Sequence, residues 1–336
     1  MSMKVVDGRA GPRGPTLALL ASSEAGLLLI TVGFVILFSY LTPGFSSPFN
    51  TYALTRVLAI DVVIGFSMMV VLVTGGLNLA VGAIGVCAVM VGGWAMEVAG
   101  LPILVAVVLA LASGAALGAL NGILTVAMRV HSFVVTLATM SLFFGAMIVM
   151  TKAQAFNALP AAFVSLAKLK TYFFASSMLY ISIGIGVLLW WLFHHTLIGR
   201  QILAAGANTS AARLSGVPVE RTIVVCHALS GALAAFAGLM LTARNGAALP
   251  SMAGQLGMDW LLPAFLAPVL GGTLLTGGTL SVAGTFLGAA MVTVLSNGLL
   301  QLELGEFWVQ AFLGIILLVA VALDRLRAHL MAKRRI

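Results

Sequence analysis

The sequence predicts an all-α integral membrane protein of about ten transmembrane helices, some broken or re-entrant, with both termini in the cytoplasm. Three observations carry this. Of 336 residues, 61% are hydrophobic and only 8% charged, where a soluble domain carries about 25% charged residues. The apolar runs approach or exceed the roughly 18–20 residues needed to span a bilayer. The Lys and Arg residues between them are unequally shared by the two sides. The short alternating strands of a transmembrane barrel are missing from the pattern.

Ten apolar runs read as spans, at about 24–41, 55–73, 79–98, 102–124, 132–150, 178–195, 223–242, 259–271, 281–300 and 307–323. The eighth is short and contains Pro263 and Pro268, which favours a broken or re-entrant segment. Residues 1–23 read as a cytoplasmic tail. The apolar stretch Thr16–Ser22 is too short, and too soon broken by Ser22-Ser23-Glu24, for a cleaved signal. The membrane-spanning block is 24–323, with a basic cytoplasmic tail at 324–336. With the N-terminus inside, Lys4, Arg9, Arg13, Arg129, Arg200, Arg213, Arg221, Arg325, Arg327, Lys333, Arg334 and Arg335 fall inside, 12 in all. Arg56, Lys152, Lys168, Lys170 and Arg244, 5 in all, fall outside. The bias supports that orientation. The connections near 151–177 (outer) and 196–222 (inner) are too small for a soluble catalytic domain.

The net charge of +8 sits mostly at helix ends and tails, where lipid headgroups account for it, so nucleic acid is not a predicted partner. Cys87 and Cys226 lie inside apolar runs and read as packing residues. No G-x-x-x-x-G-K loop and no H-E-x-x-H occurs. His194-His195 closes the sixth run without a nearby carboxylate and reads as an interfacial anchor. No nucleophile–base pair is visible, so neither catalytic nor metal-ligating residues are predicted.

Polar residues inside the runs are the next candidates, because buried polarity in lipid faces the protein interior. They are Asn78, Thr136, Asp259, Trp260, Asn297 and Asp61. For the asparagines, interhelical hydrogen bonding and lining of a polar pathway both remain open. Asp61 is expected a turn or so below the outer interface, within reach of water. Gly114, Gly118 and Gly122, and again Gly284 and Gly288, mark faces for close helix approach. Thr74-Gly75-Gly76 and Thr276-Gly277-Gly278 stand 202 residues apart, as do Gly82 and Gly284, a hint of internal repetition of the kind found in transporters. In the inner connection, Ala207–Pro218 reads as a helix of about two turns: Asn208 caps it, Gly216 takes the left-handed position after its end, and Pro218 prevents continuation. Such a helix suits docking to another protein.

Five stretches together resemble the permease subunits of bacterial ABC importers for monosaccharides, the ribose/xylose-type branch. They are Thr74–Gly82; Phe133–Met140; Gly199-Arg200 through Ala204–Asn208 to Ala211–Gly216; Leu270–Thr273 with Gly277-Gly278; and Gly284-Thr285 on to Asn297–Leu299. In order, they cover roughly residues 50–325. The resemblance implies a multi-pass protein of the bacterial inner membrane and a homodimer with the solute path between or within subunits. It also implies a cytoplasmic ATPase dimer, which would hold the ATP and Mg that this chain does not bind, and an extracytoplasmic solute-binding protein. The segment with Arg200, Asn208 and Ala211-Ala212-Arg213-Leu214-Ser215-Gly216 to Pro218 is similar to the part that docks into the ATPase. The sequence departs from the family pattern at Asn78, Ala80, Ala83, His131-Ser132, Ala264–Pro268 and Asp61, which bears on the solute more than the fold. The rivals are a branched-chain amino-acid permease of the same superfamily, a stand-alone secondary transporter or channel, and a membrane enzyme.

Overall fold

A computed structural model describes residues 23–169 and 175–333. The expected tail at 1–23 lies almost wholly outside the described residues, as do Lys170 and Arg334–Ile336. The described chain is all-helical. In chain order the helices are α1 Ser23–Leu41, α2 Pro48–Leu72, α3 Val81–Glu97, α4 Ile103–Met128, α5 Ser132–Thr151, α6 Ala161–Leu166, α7 Ser177–His195, α8 Leu197–Ala207, α9 Thr209–Leu214, α10 Val219–Asn245, α11 Leu261–Leu270, α12 Val282–Gln301 and α13 Glu306–Lys333. A 3-10 turn, Gln255–Trp260, leads into α11.

Seven of these, α1, α2, α4, α5, α7, α10 and α12, are long and apolar enough to cross a membrane. The apolar helices α3, α8, α11 with its leading turn, and the first part of α13 are shorter. The eighth expected span is short and begins at a break, a 3-10 turn that passes into a ten-residue helix. The break lies before both prolines, at the positive-φ Gly254 and Gly257, and Pro268 sits inside the helix. Three boundaries differ from the sequence reading. Helix α2 begins at Pro48, because Ser47 accepts a hydrogen bond from Asn50 N and a proline at the first helical position is pre-set for the helix. That puts Asp61 near mid-helix, roughly 20 Å along the axis, instead of one turn from an end. Most of the 196–222 connection is helical, with α10 starting at Val219. Helix α13 runs on through Lys333, where a tail was expected from 324.

The connections alternate between two ends of the bundle. At one end lie 73–80, 129–131, 196–218 and 271–281. They are tied together by Leu77 N to Ser132 Oγ at 2.8 Å and Gly278 N to Val73 O at 2.8 Å. At the other end the Phe156–Ala248 bridge joins two connections, and Ala158 N donates to Glu97. Helices α2 and α12 are central, with 72% of each apolar window buried against 17% for α1 and 22% for α4. The outer helices expose Leu29, Leu104, Val149 and Leu188, as lipid-facing surfaces do.

The 202-residue spacing proves structural. Shifted by it, α1, α2, α3 and α4 fall on α10, the α11 segment, α12 and α13. Two residues also touch their own counterparts. A Cβ on Gly65 would lie 2.7 Å from the Ala267 Cβ, and one on Gly277 would lie 2.7 Å from Gly75 N. Residues that meet their equivalents lie near a two-fold axis, so a local two-fold runs between α2 and α11. Glycine faces make the other close approaches. Gly114, Gly118 and Gly122 meet Gly231, His227 and Val224 on α10, while Gly284 and Gly288 meet Gly271 and Ala267.

The tightest point is Gly206, near the end of α8, where a side-chain carbon would overlap the Val73 carbonyl and come within 2.7 Å of Gly278 N. Gly206→Val is therefore expected to destabilise the purified protein by about 2–4 kcal/mol. Gly184→Ala, in open space on α7, should stay within about 0.5 kcal/mol. Melting temperatures in detergent check both, and equal values would contradict this packing.

Candidate functional site

Two regions gather the chemistry-bearing residues. The first is the end of the bundle that holds both Thr-Gly-Gly turns. Between α2 and α3 the chain leaves helical geometry at Thr74–Ala80, and its backbone groups need partners that a helix would have supplied. Ser132 Oγ accepts from Leu77 N at 2.8 Å, and Thr136 Oγ1 accepts from Leu79 N at 3.1 Å. Asn78 Oδ1 accepts from Ala80 N at 3.1 Å, and its amide nitrogen donates to Ser230 Oγ at 2.9 Å. Ser230 in turn meets Ser67 of α2 at 3.0 Å. All five of these side chains are buried. Asn78 and Thr136 thus hold the unwound turn to α5 and α10 in this conformation. The unusual His131-Ser132 pair has two tasks. His131 Nδ1, in the tautomer assigned by the contact, accepts from Phe133 N and caps α5, while Ser132 braces the turn.

The second Thr-Gly-Gly turn lies against the first. Gly277 packs on Gly75 and Val73, and Gly278 on Ala207. The end of α8 therefore touches both turns. One residue further, Asn208 Oδ1 accepts from Ala211 N at 2.9 Å and caps α9. Gly216 follows with φ +80°, and Pro218 precedes α10. The helix is six residues long, shorter than the two turns read from the sequence. Ala212 buries against Ala205 and Val219. Arg213 pairs with Glu220 at 2.6 Å, exposed on both sides, which contributes little to stability. Leu214 is 92% exposed and Arg200 is exposed. A cleft of about 250 Å³ lined by Gly75, Leu77, His131, Phe265, Val269 and Leu275 opens beside the first turn.

The second region is the seam between α2 and α12 toward the opposite end. Asn297 and Asn50 exchange hydrogen bonds at 3.0 and 3.1 Å, and Gln301 donates to Asn297 at 3.3 Å. Thr293 Oγ1 donates to Asp61 Oδ2 at 2.8 Å. Arg56 donates to the Arg244 carbonyl at 3.2 Å and stacks over Tyr52, 5.4 Å from the ring centre. Trp260 is buried against Gly85, and Asp259 is exposed beside Gly254. The six sequence candidates thus divide among three places and do not converge on one site. Among the described residues no cluster of three metal-ligating side chains exists, and Cys87 and Cys226 are free and buried. The structure adds Ser67, Ser132, Ser230, Asn50 and Thr293. Small hydroxyls in apolar runs give no sequence signal of their own, and only the fold brings them to a partner. It also buries Asn121 and His227 between α4 and α10, where the Asn121 amide and His227 Nε2 have no partner among the described residues.

A family model described as the permease component of the branched-chain amino acid transport system matches residues 50–321. The chain is 37% identical over 293 residues to a ribose import permease protein of Bacillus subtilis, covering 87% of this chain and 89% of that one. It is 31% identical over 332 residues to the ribose import permease protein of Escherichia coli K12, covering 96% and 99%. It is 30% identical over 330 residues to the D-allose transport system permease protein of the same strain, covering 96% and 97%. No solved structure matches the chain.

Thr136→Val keeps the shape but removes the acceptor for Leu79 N. It is expected to cost about 1–3 kcal/mol, read as a lower melting temperature. An unchanged value would mean that the unwound turn does not depend on α5.

Proposed function

We propose a function on one premise: this chain belongs to the family of ABC-transporter permease components, in its ribose-type branch. It is a multi-pass inner-membrane protein that forms the translocation path of a sugar importer, and the solute is a monosaccharide or a related small polar molecule. The observation that carries this is similarity along nearly the whole chain to importers named for ribose and allose. That list does not favour the branched-chain amino-acid reading, whatever the family model is called.

The finer assembly follows from the same premise. Ten spans, counting α3, the broken α11 segment and α13 with the seven long helices, place both termini in the cytoplasm, as the Lys and Arg bias favours. Two copies of the chain stand on two copies of a cytoplasmic ATPase, and a solute-binding protein delivers from the other side. Permease subunits are not enzymes. ATP and Mg are assigned to the ATPase, and this chain binds no cofactor. Domain limits are those of the sequence reading, with the cytoplasmic connection 196–222 as the coupling segment.

Coupling runs through α9. Leu214 and Arg213 meet the ATPase, supported by Arg200, Asn208, Ala211, Ala212, Ser215, Gly216 and Pro218. When nucleotide closes the ATPase dimer, α9 moves with it. Because α9 is tethered through Ala212 to the end of α8, the displacement arrives at Gly206 and bears on both Thr-Gly-Gly turns. Those turns end α2 and α11, the two helices at the local two-fold, so one push reaches both halves. Alternating access is the outcome. Asn78, Thr136, Asp259, Trp260 and Asn297 remain candidates for the path in states where the turns and seams part.

Leu214→Asp and Arg213→Glu, both at exposed side chains, are each expected to lower ATP-driven D-ribose uptake by reconstituted vesicles roughly tenfold, with melting temperature and oligomeric state unchanged. Full uptake by either variant would sink the docking assignment. Accumulation by the purified permease without its ATPase would instead favour a secondary transporter.

A further inference from the structure

The inner part of helix α2 is enclosed on all sides, and one residue breaks the pattern. From Leu58 to Val73 every residue is buried except Asp61. A carboxylate near mid-span that keeps an opening cannot face lipid cheaply. The opening must lead to water, to a solute path or to another protein surface.

Its surroundings lie toward the end that carries Tyr52, Arg56 and Arg244. Asp61 Oδ2 accepts from Thr293, and Oδ1 makes no hydrogen bond among the described residues. Arg244, half-buried at the end of α10, is close enough to act electrostatically on both Asp61 and Arg56. Its guanidinium also makes no hydrogen bond among the described residues. Arg56 is held at Tyr52 and the Arg244 carbonyl, with its Nε buried and unpartnered. The half-buried polar residues thus run inward from the rim and stop at Asp61, below which α2 is closed.

We propose that Asp61, braced by the buried Thr293, and Arg244 form the floor of an outward-opening polar vestibule and contact an uncharged, hydroxyl-rich solute there. The proposal rests on the permease reading for the word solute. Opposite charges side by side suit a zwitterion or a neutral polyol, and the sugar-importer reading selects the polyol. A cation would meet Arg56 and Arg244, and an anion would meet Asp61. A neutral polyol offers both donors, for the free carboxylate oxygen, and acceptors, for the free guanidinium.

The test has two arms. With Cys87 and Cys226 replaced, Asp61→Cys in membrane vesicles is treated from the outer side with a membrane-impermeant cationic thiol reagent. Modification is expected for Asp61→Cys and not for Ile64→Cys, which lies one turn further in and is buried. If Asp61→Cys resists the reagent without nucleotide, with ATP and in the vanadate-trapped state, or if Ile64→Cys reacts equally, there is no vestibule. Without nucleotide this arm needs neither sugar nor ATPase, so that reading stands even if the permease reading fails, and only the ATP and vanadate states use the complete importer. In the second arm, the complete importer is reconstituted and supplied with D-ribose. Asp61→Leu is expected to lower uptake about tenfold, Asp61→Asn less, while ATP hydrolysis stimulated by the binding protein stays within about twofold. Unchanged uptake by Asp61→Leu overturns the solute contact. Loss of hydrolysis in step with uptake overturns it too, since Asp61 would then only hold the fold.

Discussion

Three stretches of backbone meet where no side chain fits, and the rest of the bundle is arranged around that meeting. Gly206 at the end of α8 sits on the Val73 carbonyl, Gly277 on Gly75, and Gly278 on Ala207. One hydrogen bond, Gly278 N to Val73 O, joins the two turns directly. Backbone this close carries polar groups into contact with few alternatives. Serine and threonine hydroxyls from α5 and α10 are therefore drawn in to satisfy what remains. Keeping these turns together holds α2 and α11 side by side at the local two-fold.

The packing logic is that of a membrane protein. In lipid there is no hydrophobic gain from pairing two apolar helices, so close backbone approach and interhelical hydrogen bonds carry the association. The α4–α10 contact shows the first, with a glycine at every fourth residue of α4 laid against Gly231 and His227. The α2–α12 seam shows the second, with the mutual Asn50–Asn297 pair. A junction of the first kind is rigid, because glycine contacts have no side chains to rearrange. A seam of the second kind can part and exchange its bonds with water. A transporter needs both, one to transmit a displacement and one to yield to it.

Much of this was legible in the sequence. Helix positions were readable because every span is an apolar run ended by Gly, Pro or a charge. The small α9 was readable because Asn208, Gly216 and Pro218 each have one structural use. The 202-residue repetition was visible in two glycine motifs, but not that the motifs touch, since contact between halves is a property of the fold. The start of α2 was misplaced because Ser47-Pro48 precedes a stretch, Asn50–Arg56, whose polarity resembles a loop. The structure shows those polar groups bound to α12, α10 and the neighbouring outer connection. Asn78 and Thr136 were readable as buried polar residues, but their partners Ser230 and Leu79 N were not.

The geometry also bears on how a small motion at one end becomes a change of access at the other. Helix α9 is too short to hold itself, and its caps and the Ala212 contact with Ala205 and Val219 make it a rigid extension of α8 and α10. Displacing it cannot be absorbed locally, because Gly206 has no free space toward Val73 or Gly278. In the proposed coupling the displacement instead moves α2 and α11 at their shared end. Helices that pivot about a fixed glycine contact move most at their far ends. There the seams of α2 are polar side chains, not backbone, and separate at the cost of hydrogen bonds that water can replace. The rigid end and the yielding end of α2 are thus two parts of one lever, and Asp61, the one opening in the stretch from Leu58 to Val73, lies between them.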